Sequence, residues 1–208
     1  MIPAPFAARL TTYPSRAEWL ADARPGPPGW CVGGTPAADI LGVGFGGPWA
    51  AWATGQGEAP PREPTARMTA GSEWEPLVLR WYAGHFGRPV ESPLCRVADP
   101  AVPWLRPSPD AFAEDSLDGL GLVEVKCPSR RDGWGDDGAV VHRADADALA
   151  VVPPGYLVQV YAQLAASGLG WCDVVACFGP QDTRAIRVLA DPDYQRRKRG
   201  SPANLATS

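Results

Sequence analysis

Glu124 and Lys126 lie two residues apart in the apolar string Leu122-Val123-Glu124-Val125-Lys126-Cys127. On a strand, residues i and i+2 share a face. A carboxylate and an ammonium therefore project together, while Val123 and Val125 point to the other side. Asp110 closes Ser108-Pro109-Asp110 in the preceding segment; if the two segments pair, it reaches Glu124. Two carboxylates in one space repel unless a cation lies between them, and oxygen ligands suit a hard divalent ion such as Mg²⁺. Water acidified by such an ion can attack a phosphodiester while the ion neutralises the developing charge. Lys126 would orient that water or stabilise the pentavalent phosphate. The bland alternative for Glu-x-Lys is a salt bridge at a sheet edge. Lysine itself is informative: among 19 basic residues only Lys126 and Lys198 are lysines, and lysine offers a compact ammonium with a tunable proton where arginine does not.

These side chains need elements to hold them. Gly121–Cys127 is β-branched and short and is predicted as a strand. Residues 90–97 and 104–112 are expected to be strands interrupted by prolines. Helices are expected over 15–22, with Ser15 capping and Glu18 three residues on; over 35–42, capped by Thr35 with Pro36 next; over 47–55; over 70–86, where Trp74, Leu77, Val78, Trp81 and Tyr82 follow the helical period; and over 155–167. Residues 171–178 and 183–189 read as a closing hairpin. The long stretch 128–154 reads as a functional flap. The order is helices, three strands, a helix and two strands. It predicts an α/β (α+β) fold with a central mixed β-sheet flanked by helices, one domain over 1–190 and a short basic tail over 191–208.

Composition removes other classes. Gly and Pro number 23 and 24 in 208 residues, which implies many turns but not disorder. The net charge of −4 argues against coating nucleic acid by bulk charge, though not against a local basic groove. Two histidines exclude a multi-histidine metal site. Five cysteines without a C-x-x-C pair argue against zinc or disulfide frameworks and favour a reducing cytoplasm. No phosphate-loop string, secretory pattern or membrane-length apolar run is present.

Pro-Asp, a gap, then Glu-x-Lys resembles the signature of the PD-(D/E)XK nuclease superfamily. Further segments resemble its YqaJ-type viral recombinase branch, relatives of phage lambda exonuclease: Gly33-Gly34-Thr35 with Ala37 to Gly42; Gly71 to Leu77, containing Glu75-Pro76; Ser108-Pro109-Asp110 with Leu122 to Pro128; and Pro154-Gly155-Tyr156 with Gln159 and Gln163-Leu164. Their order and approximate spacing match from about residue 15 to 190.

The resemblance implies a restriction-endonuclease-like core and a metal-dependent exonuclease acting on duplex DNA ends in phage-type recombination. It makes Asp110, Glu124 and Lys126 the catalytic set, with the Val125 carbonyl as a further metal ligand and Glu75 as the upstream acid. Mg²⁺ is the expected ion, with Mn²⁺ able to substitute. Gln159 is expected to reach the active site; Gln163 is read as either solvent-exposed or functional. Arg24 and Thr35 fall where relatives bind a terminal phosphate, and a helix start suits an anion. Arg130, Arg131 and Arg143 are expected to line a DNA groove, with Trp134 the foremost base-contacting ring among Trp30, Trp49, Trp52 and Trp104; most of the nine tryptophans are otherwise expected in the core. Asp118 is expected in a hairpin turn away from the site. An endonuclease on the same core, or a non-catalytic DNA-end binding module, are the alternatives. A single-strand annealing protein and further copies of the chain are possible partners; a membrane is not.

Overall fold

The structure is a computed structural model that describes residues 4–22, 31–60, 63–134, 151–179, 181–191 and 193. Its centre is a five-stranded mixed sheet in the order β2-β4-β5-β6-β7. The strands are β2 (Val90–Glu91), β4 (Ala111–Asp115), β5 (Gly119–Lys126), β6 (Trp171–Gly179) and β7 (Asp182–Leu189). A separate pair joins β1 (Leu10–Thr12) to β3 (Cys95–Val97) antiparallel. All neighbours in the main sheet run antiparallel except β5 and β6, which are parallel. That parallel step needs a crossover, supplied by helix α6 (Pro154–Ser167).

The two faces of β5 fill two cores. Val123 and Val125 pack with Val78, Leu79 and Tyr82 of the long helix α5 (Ala66–Phe86). Leu122 packs with Val160 and Leu164 of α6 and with Val174 and Ile186. Burial on both faces explains the near-continuous apolar run of the strand, and makes the two charged residues in it conspicuous. Gly121 meets the Trp171 ring so closely that no side chain fits there.

The helices and the closing hairpin form close to where the sequence places them. In α2 (Arg16–Asp22) the Glu18 amide donates to Ser15 Oγ at 3.2 Å, and that hydroxyl donates to Glu18 Oε1 at 3.1 Å. Helix α4 spans Gly47–Gln56. Helix α5 starts four residues before the expected point, because Thr65 caps it by accepting from the Met68 amide at 3.3 Å. Helix α3 (Gly34–Ile40) is capped by Gly33, not by Thr35, which lies inside the first turn with an exposed side chain.

The two proline-rich strand expectations need correction. Residues 90–97 divide at Pro93: β2 joins the main sheet and β3 joins β1. Residues 104–112 are no single strand. Leu105 bridges to Val32, and β4 begins only at Ala111, because Pro107 and Pro109 have no N–H to offer a ladder. The three-residue β1–β3 pairing has no signal in the sequence, since three residues of mixed polarity carry too little pattern. No helix among the described residues is long and apolar enough to cross a membrane.

Candidate active site

The β4–β5 register pairs Ala111 with Val123 and Phe112 with Leu122. Extended by one residue, it sets Asp110 opposite Glu124. The ladder stops there, since Pro109 cannot donate, and the Asp110 side chain takes over: its Oδ2 accepts from the Val125 amide at 2.7 Å. Asp110, Glu124 and Lys126 thus meet where β4 begins and β5 ends.

Glu124 is 1% exposed. Its Oε1 accepts from Lys126 Nζ and, at 2.5 Å, from Gln159 Nε2. Its Oε2 accepts from Gln163 Nε2 at 2.7 Å. Lys126 Nζ also donates to Gln159 Oε1 at 3.1 Å and lies 5.1 Å from the centre of the Tyr156 ring. Tyr156, Gln159 and Gln163 follow helical spacing, so α6 presents all three to one strand. Gln163 is 0% exposed, which resolves its two readings toward a buried partner of Glu124. It donates to the Ser108 carbonyl as well, at 3.3 Å, joining β5 to the segment that carries Asp110. The sequence signal for it was a second amide four residues after Gln159 in an otherwise apolar helix.

Charge is unbalanced here. Burial and then the neighbouring Glu124 push Asp110 well above the usual carboxylate range, against the pull of Lys126. Burial and Glu124 likewise push Glu75 up. Burial works against the Lys126 ammonium, but Glu124 and Asp110 outweigh it and hold its pKa above the ordinary lysine value. Lys126 is therefore a protonated donor at neutral pH.

A cleft of about 650 Å³ opens beside this group, lined among others by Arg16, Thr35, Ser72, Glu75, Asp110 and Gln159. Thr35 and Glu75 therefore border the same space as Asp110. A Cβ on Gly34 would sit 2.5 Å from Gln159 Cγ, so glycine lets α3 approach α6 closely. In α5, Pro76 gives up the bond to the Ser72 carbonyl one turn back, at the cleft wall. Arg16 and Arg96 also line the cleft; nothing in their local sequence distinguished them from other surface arginines.

One expectation is corrected. Trp134 is 2% exposed and packs on Tyr156 and Phe178, with its carbonyl accepting from Arg184. Its ring belongs to the core and supports the site from behind. Trp134 and Trp171 are the fully buried tryptophans among those described, whereas Trp49, Trp52, Trp74 and Trp104 are exposed. Among the described residues no three acidic, histidine or cysteine side chains gather as a metal-holding group. The Glu124 carboxylate is turned onto Lys126, Gln159 and Gln163 instead. The donor set still fits a hard divalent cation: it is all oxygen, with Asp110 and Glu124 on a single ammonium and Glu75 beside them in reach of Arg16. Arg130 is exposed; Arg131 is half exposed and pairs with Asp182 at 2.5 Å. Asp118 sits in the β4–β5 turn and binds Arg187, away from the site. Arg24, Trp30, Arg143 and the basic run 196–199 lie outside the described residues.

The fold and the carboxylate–lysine strand end define a class. The structure superposes on the crystal structure of an alkaline exonuclease, LHK-Exo, from Laribacter hongkongensis, with a TM-score of 0.63 and 24% identity over 88% of this chain and 86% of that one. The same enzyme in complex with dAMP gives a TM-score of 0.62 and 21% identity over 88% and 86%. No curated protein matches the chain in sequence. The YqaJ-like viral recombinase domain matches residues 18–170, and the chain belongs to that family.

Proposed function

We propose that the chain is a divalent-metal-dependent exonuclease that hydrolyses phosphodiester bonds from the ends of duplex DNA and serves phage-type recombination in a bacterial or phage-infected cytoplasm. The observation that carries this reading is the meeting of Asp110, Glu124 and Lys126 at one end of the β4–β5 pair. The structural relative LHK-Exo, an alkaline exonuclease, supports the same class of activity.

Asp110, Glu124, the Val125 carbonyl and Glu75 would hold the cation, Mg²⁺ with Mn²⁺ able to substitute. When bound, it supplies positive charge against the developing phosphorane and makes water more acidic. The geometry above supports the following part for the protein's own residues. Lys126, held protonated, donates from Nζ to the attacked phosphate or to the incoming water. Gln159 and Gln163 hold the Glu124 carboxylate in one orientation, and orientation of this kind is a large share of catalytic power. Asp110 is anchored by the Val125 amide through Oδ2. Thr35 and Arg24 would take the terminal phosphate, and Arg130 and Arg131 the adjoining backbone, with a single-strand annealing protein and further copies of the chain as partners.

A digest of linear and covalently closed duplex tests this. Linear DNA is expected to shorten from its ends, to stop with EDTA and to resume with Mg²⁺, while closed circles survive. Cutting of the circles would select an endonuclease; binding without cutting of either would select a DNA-end module.

A further inference from the structure

Phe45 is 79% exposed, the largest exposure of any aromatic ring described. It is not on a loose loop. The Val43 and Gly44 amides donate to the Ala38 carbonyl at 3.1 and 3.0 Å, and the Gly46 amide to Asp39 Oδ1 at 2.8 Å. Gly155 of α6 abuts the Val43 carbonyl so tightly that a Cβ would clash. The protein thus pins the backbone on both sides of a ring that it leaves in water, where an exposed aromatic has no folding benefit.

The ring is also linked to the active site. Its centroid is 6.1 Å from that of Tyr156, whose ring is 5.1 Å from Lys126 Nζ. Phe45 is therefore within about 11 Å of the ammonium, or about three nucleotides of a stacked strand at ~3.4 Å each. Residues 40–56 around it contain no charged side chain. Trp49 and Trp52 of the adjoining α4 are exposed as well and stack on each other at 4.8 Å. A neutral aromatic surface at a fixed reach from a phosphate-handling lysine is suited to the faces of bases, not to phosphates. Resting on the nuclease reading, we propose that Phe45 stacks on a base of the DNA end whose phosphate lies at Lys126, so that it positions the strand and favours unpaired or fraying ends.

The test uses linear duplexes carrying 2-aminopurine near the end. Base–aromatic stacking predicts that Phe45→Ala raises KM about tenfold with kcat little changed, and abolishes the fluorescence quenching seen when wild type binds. Phe45→Trp should restore both; Phe45→Leu, apolar but without a ring face, should not. Equal KM and quenching in wild type and Phe45→Ala would overturn the proposal, as would full rescue by leucine. A lowered sedimentation mass for Phe45→Ala with unchanged DNA affinity would also overturn it, assigning the patch to a second copy of the chain. Quenching lost in Phe45→Ala, with DNA bound but never cut by wild type, would uphold the stacking and refute the nuclease reading.

Discussion

Gln163→Leu separates a positioning role from a merely structural one. Wild-type Nε2 donates at 2.7 Å to a carboxylate oxygen that has no other donor among the described residues, a charge-assisted bond of about 1.5–3 kcal/mol. The same amide buries Oε1 without a hydrogen-bond partner among the described residues, at a cost of about 1–3 kcal/mol. Leucine has similar bulk and removes that bond, the longer one to the Ser108 carbonyl and the orphaned oxygen. Relief of the orphaned oxygen offsets part of the two lost bonds, so urea denaturation should shift by no more than about 2–3 kcal/mol. Nothing offsets the loss at Glu124, whose Oε2 is left unpaired and whose carboxylate is free to turn. If orientation is what the bond supplies, kcat on linear duplex falls by roughly 10–150-fold, the same energy expressed as rate. Mn²⁺ affinity measured by calorimetry should weaken in parallel. Wild-type turnover in Gln163→Leu would refute the reasoning. So would unfolding at a cost above about 3 kcal/mol, which would make Gln163 a structural strut.

Lys126→Ala and Glu124→Gln should abolish cleavage while DNA binding in a gel-shift assay survives; turnover in either variant would refute the site. Asp110 and Glu75 both titrate above their unfolded values, so the native chain holds more protons than the unfolded one and metal-free stability falls as pH rises through that interval. Calorimetry in EDTA from pH 5 upward should show this decline, Asp110→Asn should flatten it, and Mn²⁺ should raise Tm more at pH 8 than at pH 5. Arg187→Met should destabilise by about 2–3 kcal/mol in urea, because it strips buried Asp173 and Asp115 of one of the two guanidiniums they share.

The sequence was most legible where period and chemistry agreed. An apolar strand with Glu and Lys at i and i+2 has one sensible orientation, and both residues lie where that orientation sets them. Helix α6 was readable for the same reason, since its stripe and its amides lie on different sides. Strand boundaries were obscured by Pro93, Pro107 and Pro109, each of which ends pairing on one edge while tertiary contact decides which partner the next residue finds. Trp134 was misjudged because Gly133-Trp134 looks like an exposed turn; the indole is instead drawn between Tyr156 and Phe178, and only the fold supplies that slot. Phe45 carried no signal at all in a glycine-rich stretch, since exposure cannot be read from composition.

The β4–β5 hairpin contains its own control for the functional reading. At its closed end, Asp115, Asp118 and Asp173 share two guanidiniums, Arg187 and Arg88. Burial there tends to raise Asp115, yet the Leu117 and Asp118 amides and the two arginines hold it at about 2. At the open end, fifteen ångströms or so of strand away by the rise per residue, Asp110 is driven the other way with one lysine in reach. The chain uses arginine nearly everywhere else, and a second guanidinium could have balanced this end as it does the first. A protein gains no stability from leaving two buried carboxylates, Asp110 and Glu124, to one ammonium. The imbalance makes sense if another cation, and the phosphate it accompanies, complete the charge count.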